Sequence, residues 1–257
     1  MQEKIIGTPC GQCRVLVCDH LPSTNLTARE MAADGAPDGT VIIAREQSAG
    51  RGRLGRSFYS PDGTGLYMSV ILRRDLSASD ALCLTPMAAV ATAQAIEETI
   101  HRCADIKWVN DIYLDGKKVC GILTEGVVAP GSSRLDYAVI GIGVNITPPT
   151  GGFPEELKTI AGAILNGTED ADAIRLDLAE RILYRLMLYL KLDDKQTIHE
   201  EYCKRSVVIG RQVTVHCGNV LPYEAQAIGI APDYHLIVRT TDGRDVALDS
   251  GEISVRL

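Results

Sequence analysis

The 257-residue sequence predicts an α/β (α+β) protein: a mixed, mainly antiparallel sheet with helices, followed by a small closed β-barrel. Three observations carry this. Between Ile106 and Ile146, short apolar runs follow one another with tight turns and no room for a helix between them. Antiparallel strands tolerate that spacing; parallel crossovers do not. From Ile174 to Leu190, apolar residues recur every fourth position, as one buried helix face demands. Beyond Arg205 the texture changes to short alternating runs between turns, which suits a small barrel. The expected division is a main domain over 1–205 and a barrel over 206–257.

Taken in order, Val15–Cys18 and Thr40–Ala44 read as buried strands with a helix over Ser23–Gly35 between them. Ser23 or Thr24 can cap the start of that helix, and Gly35 ends it. Gly65–Leu72 is the next strand, and roughly Ser79–Arg102 the next helix. Ile106–Trp108, Ile112–Leu114, Cys120–Glu125 and Tyr137–Ile146 continue the sheet, with Asp115-Gly116 as a tight turn. Ile174, Leu178, Ile182, Leu186 and Leu190, with Leu183 and Met187 beside them, define a helix running to about Arg205. Finally Val213/Val215, Ala225/Ala227, Leu236/Val238, Val246/Leu248 and Ile253/Val255 alternate with polar residues. Turns at Cys217-Gly218-Asn219, Pro232-Asp233 and Asp242-Gly243 separate these strands.

With 26 basic against 33 acidic side chains the net charge is −7, which argues against general nucleic-acid binding and makes any anion site local. The N-terminus has no apolar run behind a basic start, and no stretch is long enough to span a membrane, so the expected location is the cytoplasm. The eight cysteines lie mostly in apolar segments and read as buried, reduced thiols. Cys10-x-x-Cys13 is the one suggestive pair, but it lacks the second pair a structural zinc site needs. The five histidines show no metal spacing.

Within this acidic chain, Ala49–Phe58 reads AGRGRLGRSF. Gly50-x-Gly52-x-x-Gly55 formally matches a dinucleotide fingerprint, but that motif must open a helix, and here a turn-rich segment follows. What remains is a glycine-rich loop carrying Arg51, Arg53 and Arg56, whose guanidinium forks suit phosphate or carboxylate, or else a solvated basic loop. Lys107-Trp108-Val109-Asn110-Asp111, followed by Lys118, gathers a cation, an amide and a carboxylate at one sheet end, although Asn-Asp alone is often only a turn. Gly141-x-Gly143-x-Asn145 leaves space beside the sheet for a ligand or for close backbone. For Ser23-Thr24-Asn25, helix capping is by itself an adequate reading.

In this order and spacing, Ser23-Thr24-Asn25, the Gln47 to Arg56 loop, Lys107-Trp108-x-Asn110-Asp111 with Lys118, and Gly141-x-Gly143-x-Asn145 resemble the biotin protein ligase family. The closing Gly251 to Arg256 resembles the end of that family's C-terminal barrel. The resemblance implies a class II aminoacyl-tRNA synthetase-like catalytic domain and an SH3-like barrel. It implies ATP, Mg²⁺ and biotin, an adenylate intermediate, and a lysine of a biotin carboxyl carrier protein as acceptor. By resemblance Ser23, Thr24, Asn25, Gln47, Gly50, Arg51, Gly52, Arg53 and Lys118 surround biotin or its adenylate. Arg56, Phe58, Asn110 and Asn145 take ATP, Arg53, Lys107 and Lys118 serve catalysis, and Asp111 helps hold the metal. The glycine loop is expected to close over the hydrolysable anhydride.

Val109 stands where the family usually has proline, and Phe58 where tryptophan is common, which keeps a stacking face without an indole N–H. Some members carry an N-terminal helix-turn-helix domain; here the matching sequence begins within about twenty residues of Met1, so direct DNA binding is not expected. A homodimer is common in the family. The competing expectations are a lipoate or octanoate ligase of related fold and a non-catalytic biotin-binding regulator.

Overall fold

Val41, Ile42 and Ile43 are consecutive apolar residues, and the computed structural model buries all three. It describes residues 2–77, 80–167, 171–216, 221–249 and 252–255. Successive strand residues point to opposite faces, so a strand buried along its length must be covered on both sides. The coverage comes from four helices, α1 (Thr24–Ala33), α2 (Leu84–Ile100), α3 (Ala171–Leu192) and α4 (Lys195–Lys204). The main sheet contains β1 (Gln2–Thr8), β2 (Gly11–Leu21), β3 (Val41–Gln47), β4 (Gly65–Leu72), β5 (Asp105–Lys107), β6 (Asp111–Leu114), β7 (Lys117–Val128) and β8 (Leu135–Asn145).

Its order is β1-β2-β3-β4-β8-β7-β6-β5. β2 and β3 run parallel with α1 as their crossover, and the other ladders are antiparallel. Val41, Ile43, Val70 and Leu72 pack with α2 and α3 in the main core, whereas Ile42, Ile71 and Val139 pack with Ala28 and Ala32 of α1 on the opposite face. Leu178, Ile182 and Leu186 are fully enclosed, and each contributes at most about 1.5–3 kcal/mol of burial free energy. Among the described residues no helix is long and apolar enough to cross a membrane.

The expected long helix to Arg205 is in fact two. Asp193 adopts φ 50° after α3, and Asp194 accepts the Thr197 N–H at 3.0 Å to start α4. The apolar period continues across this break, so it hides a stop that backbone and capping impose. A short turn at Asp80–Cys83 precedes α2, and Ser79 lies outside the described residues. β1 was not expected: its residues are mostly polar and exposed, and the strand forms because it pairs with β2 through a turn at Gly11, φ 113°. Ser23 occupies the N-cap position of α1 but makes no side-chain cap. The cysteines also differ from expectation: of the seven described, all free, only Cys13 and Cys120 are buried. Cys10 sits exposed and donates to the Met187 carbonyl at 3.1 Å.

A second, antiparallel sheet follows, β12-β11-β10-β9-β13, built from β9 (Gln212–His216), β10 (Tyr223–Ile230), β11 (Leu236–Thr240), β12 (Asp245–Leu248) and β13 (Glu252–Val255). The turn at 217–219, Gly251 and Arg256 lie outside the described residues. This sheet is anchored to the main one: Trp108 Nε1 donates to the carbonyl of Tyr234, between β10 and β11, at 2.8 Å in a buried setting, and Tyr202 of α4 meets the Tyr234 ring edge-on, centres 5.5 Å apart, while donating to the Val109 carbonyl at 3.0 Å. Trp108→Phe removes the first of these donors and leaves the Tyr234 carbonyl buried and unpaired. Stability should fall by about 1–2 kcal/mol, seen as a lower urea midpoint at unchanged m-value. An unchanged midpoint would mean the bond contributes nothing.

Candidate active site

The Ala49–Phe58 segment forms a hydrogen-bonded hairpin. Gly52 N–H donates to the Arg56 carbonyl at 2.8 Å, Phe58 N–H donates to the Gly50 carbonyl at 2.9 Å, and Arg51 bridges to Ser57. At its tip Leu54 and Gly55 take left-handed conformations, φ 55° and 75°. No helix of the dinucleotide kind follows Gly55; the chain continues to β4. Gly50 is required by contact, because a Cβ there would lie 2.4 Å from the Phe58 carbonyl oxygen.

Beside this hairpin, the start of α1 and the end of β3 make a buried polar wall. Ser23, Thr24 and Asn25 are each at most 4% exposed. The Thr24 N–H and hydroxyl both donate to Gln47 Oε1, at 2.8 and 3.1 Å, and Gln47 Nε2 donates to Ser60 Oγ at 2.9 Å. Ser69 Oγ donates to Asn25 Oδ1 at 2.6 Å, and Asn25 Nδ2 reaches Glu125 Oε2 at 3.0 Å. Asn25 lies flat on β8, where a Cβ at Gly141 would come within 2.0 Å of its Oδ1. The residues expected to cap the helix therefore face a cavity.

Across the cavity, Lys107 and Asp111 pair in register and close the turn Trp108–Asn110, whose Trp108–Val109 peptide is cis. Arg53 Nη1 donates to Asn110 Oδ1 at 3.0 Å, and Asn110 Nδ2 donates to the Ile122 carbonyl at 2.9 Å, so the arginine is tied to the sheet through an amide. Lys118 Nζ lies 2.7 Å from Asp111 Oδ1. Lys107 Nζ stands 5.8 Å from the centre of the Tyr113 ring. The Phe58 ring covers Gly121 and Gly143 and meets the Tyr67 ring edge-to-face, with ring centres 6.4 Å apart. Burial pushes the Tyr67 phenol up to about 12, so it stays a neutral donor to the Pro61 carbonyl. Burial likewise raises the Cys120 thiol, an inert group within β7.

Of the residues singled out in the sequence, Ser23, Thr24, Asn25, Gln47, Arg51, Gly52, Arg53, Arg56, Phe58, Lys107, Asn110, Asp111 and Lys118 line this one cavity. Gly50 and Asn145 do not. Gly50 supports the hairpin from behind, and Asn145 at the end of β8 donates to the Gly162 carbonyl at 2.9 Å, tying down the following loop. Sequence reasoning missed Met68, Leu123 and Ile253 on the wall, the last contributed by the C-terminal sheet. It also missed Ser69, Arg29 and Glu125 behind it. The one available signal was an acid, Glu125, closing an apolar run. The charged lining residues are five cations and one acid, Asp111, a local inversion of the chain's acidic balance. Such a cavity can hold an anion at its basic end and a polar, uncharged group against the Thr24–Gln47 wall.

Comparison with known proteins agrees with that chemistry. The profile of the biotin/lipoate A/B protein ligase family matches residues 17–145. The Bacillus subtilis (strain 168) bifunctional ligase/repressor BirA is 37% identical over 234 residues, an alignment covering 88% of this chain and 69% of that protein. The biotin–[acetyl-CoA-carboxylase] ligase of Paracoccus denitrificans is 33% identical, covering 87% of this chain and 93% of that one. Among solved structures, the Aquifex aeolicus biotin protein ligase in complex with biotin and ATP superposes with a TM-score of 0.75 at 26% identity, covering 94% of this chain and 98% of that one. The chain belongs to the biotin/lipoate A/B protein ligase family.

Proposed function

We propose that the chain is an ATP-dependent biotin protein ligase that activates biotin as biotinyl-5′-AMP and transfers it to a lysine of a biotin carboxyl carrier domain. The observation that carries this reading is the cavity itself, with five cations converging opposite a buried wall of hydroxyl and amide groups. A ureido ring offers N–H and C=O groups to exchange with Thr24 and Gln47. A lipoyl or octanoyl chain offers none, and would leave those buried groups facing hydrocarbon.

In the first step a biotin carboxylate oxygen bonds to the α-phosphorus of ATP. The bond from that phosphorus to its bridging oxygen breaks, and pyrophosphate leaves with the electron pair. In the second, the ε-nitrogen of the carrier lysine bonds to the carbonyl carbon, AMP leaves with the carbon–oxygen electron pair, and the amine proton passes to water. The first step puts a carboxylate against a polyphosphate, and the second builds negative charge on the carbonyl oxygen and the departing AMP, so fixed cations lower both barriers. Arg53 and Arg56 serve the phosphates, Lys107 and Lys118 flank the carboxyl–phosphate junction, and Phe58 offers a ring face to adenine.

Among the described residues Asp111 is the single carboxylate on the cavity wall, and no group of three metal-binding side chains exists. Asp111 would be the side chain that helps hold a Mg²⁺ brought in with the nucleotide. When bound, the ion adds positive charge against the triphosphate. The same reading makes 1–205 the catalytic domain and 206–257 an SH3-like barrel.

ATP–pyrophosphate exchange should depend on biotin and not respond to lipoate or octanoate; exchange with neither biotin nor lipoate would sink the ligase reading. Arg53→Ala should slow adenylate formation in single turnover by about 10²–10³-fold and shorten the adenylate's lifetime. Unchanged values for both would remove Arg53 from the reaction. In Gly143→Ala the new Cβ would sit 2.6 Å from the Phe58 ring and push it off the sheet. The KM for ATP should rise roughly two- to tenfold, the range set by an aromatic contact of about 0.5–1.5 kcal/mol. A rise confined to biotin would place Phe58 at the other substrate.

A further inference from the structure

Glu125 of β7 lies outside the cavity wall, yet both its carboxylate oxygens are committed to groups that bound it. Oε1 is 3.1 Å from Arg29 Nη1 and 3.3 Å from Arg51 Nη2. Oε2 accepts from Asn25 Nδ2 at 3.0 Å and, at the limit of a hydrogen bond, from Arg51 Nη1 at 3.5 Å. The Glu125 side chain is only 19% exposed, while each arginine side chain is 42% exposed. Its own position is over-determined, because Asn25 is held by Ser69 and pressed against Gly141.

We propose that Glu125 is a positioning residue for the acid-binding step, holding the Arg51 guanidinium at the cavity rim before the substrate carboxylate arrives. The inference rests on the reading of Arg51 as a biotin-side residue. Two features favour it over an incidental surface ion pair. The contact to Arg51 reaches both carboxylate oxygens, at 3.3 and 3.5 Å, and so draws the guanidinium toward one orientation as well as one position. The second arginine settles the electrostatics. One acid shared by two arginines leaves the triad at net +1, so Arg51 is held without being cancelled. A carboxylate paired with Arg51 alone would offer an approaching anion a neutral pair. Arg29 is thus the counter-charge that lets Glu125 act as a bracket.

The test uses the full chain and two ligands, biotin and its uncharged primary amide, with affinities measured calorimetrically. Glu125→Gln keeps the side chain's shape and removes its charge. It should weaken biotin roughly tenfold, the scale of a charge-assisted contact, and leave the amide within about twofold, below 0.5 kcal/mol at 1.4 kcal/mol per tenfold. If Glu125 acts through Arg51, the double variant with Arg51→Ala should bind biotin no more weakly than Arg51→Ala alone. Equal weakening of acid and amide, no change in either, or additive losses would each overturn the proposal. Amide binding also reports a folded site. Should the Gln variant fail to fold, Glu125→Asp, which keeps the charge but shortens the reach, should show a smaller loss confined to the acid. Wild-type protein that binds neither ligand would overturn the biotin reading itself. Wild type that binds both, with no selective loss in the variants, would overturn only the role given to Glu125.

Discussion

The register that sets Gly121 of β7 directly opposite Gly143 of β8 is the constraint on which the rest of the site depends. Two facing residues without Cβ atoms leave a bare patch in the middle of the sheet, and Gly141, two residues along, extends it on the same face. A Cβ at any of the three would meet Phe58 or Asn25, at 3.2 Å over Gly121, 2.6 Å over Gly143 and 2.0 Å over Gly141. Phe58 ends the arginine hairpin, and Asn25 lies in the first turn of α1. Where these two side chains land on the floor therefore decides where Arg51, Arg53 and the Thr24–Gln47 wall stand. A one-residue slip between β7 and β8 would turn the glycines away from one another and destroy both placements.

Much of this was legible before any coordinates, and what was not has definite physical causes. Gly65–Leu72 is apolar at nearly every position, so its burial on both faces could be read directly. Asp115-Gly116 forms the expected tight turn, with both residues at positive φ. β1 could not be read, because its strand state comes from its partner and not from its own polar residues. The end of α3 was hidden for the opposite reason: the apolar repeat was strong enough to mask Asp193 and Asp194. Within the site, most members of the short motifs line the cavity. Asn145 did not reach the cavity, because its amide is used by Gly162. Glu125 shows in the sequence only as an acid closing an apolar run, because its meaning comes from Arg51 and Asn25, 74 and 100 residues away.

The charge arrangement follows a rule of partner exchange. Five cations converging on a cavity repel one another and would destabilise an empty site. The fold gives two of them provisional partners: Arg53 has the Asn110 amide, and Lys118 has Asp111. Neither of these is a deeply buried ion pair. Asp111 and Lys118 side chains remain 21% and 28% exposed, so each pair can be remade without stranding a charge in a dry interior. An arriving carboxylate or phosphate then replaces or shares an existing acceptor, so the cations need not be newly ordered. The cost is that each substrate contact gains only the difference between two partners, which limits raw affinity. The return is discrimination, since only a ligand that places its anions where Asn110 and Asp111 now direct the cations recovers the full exchange. An uncharged analogue recovers none of it, and a misplaced acid leaves the native pairs intact.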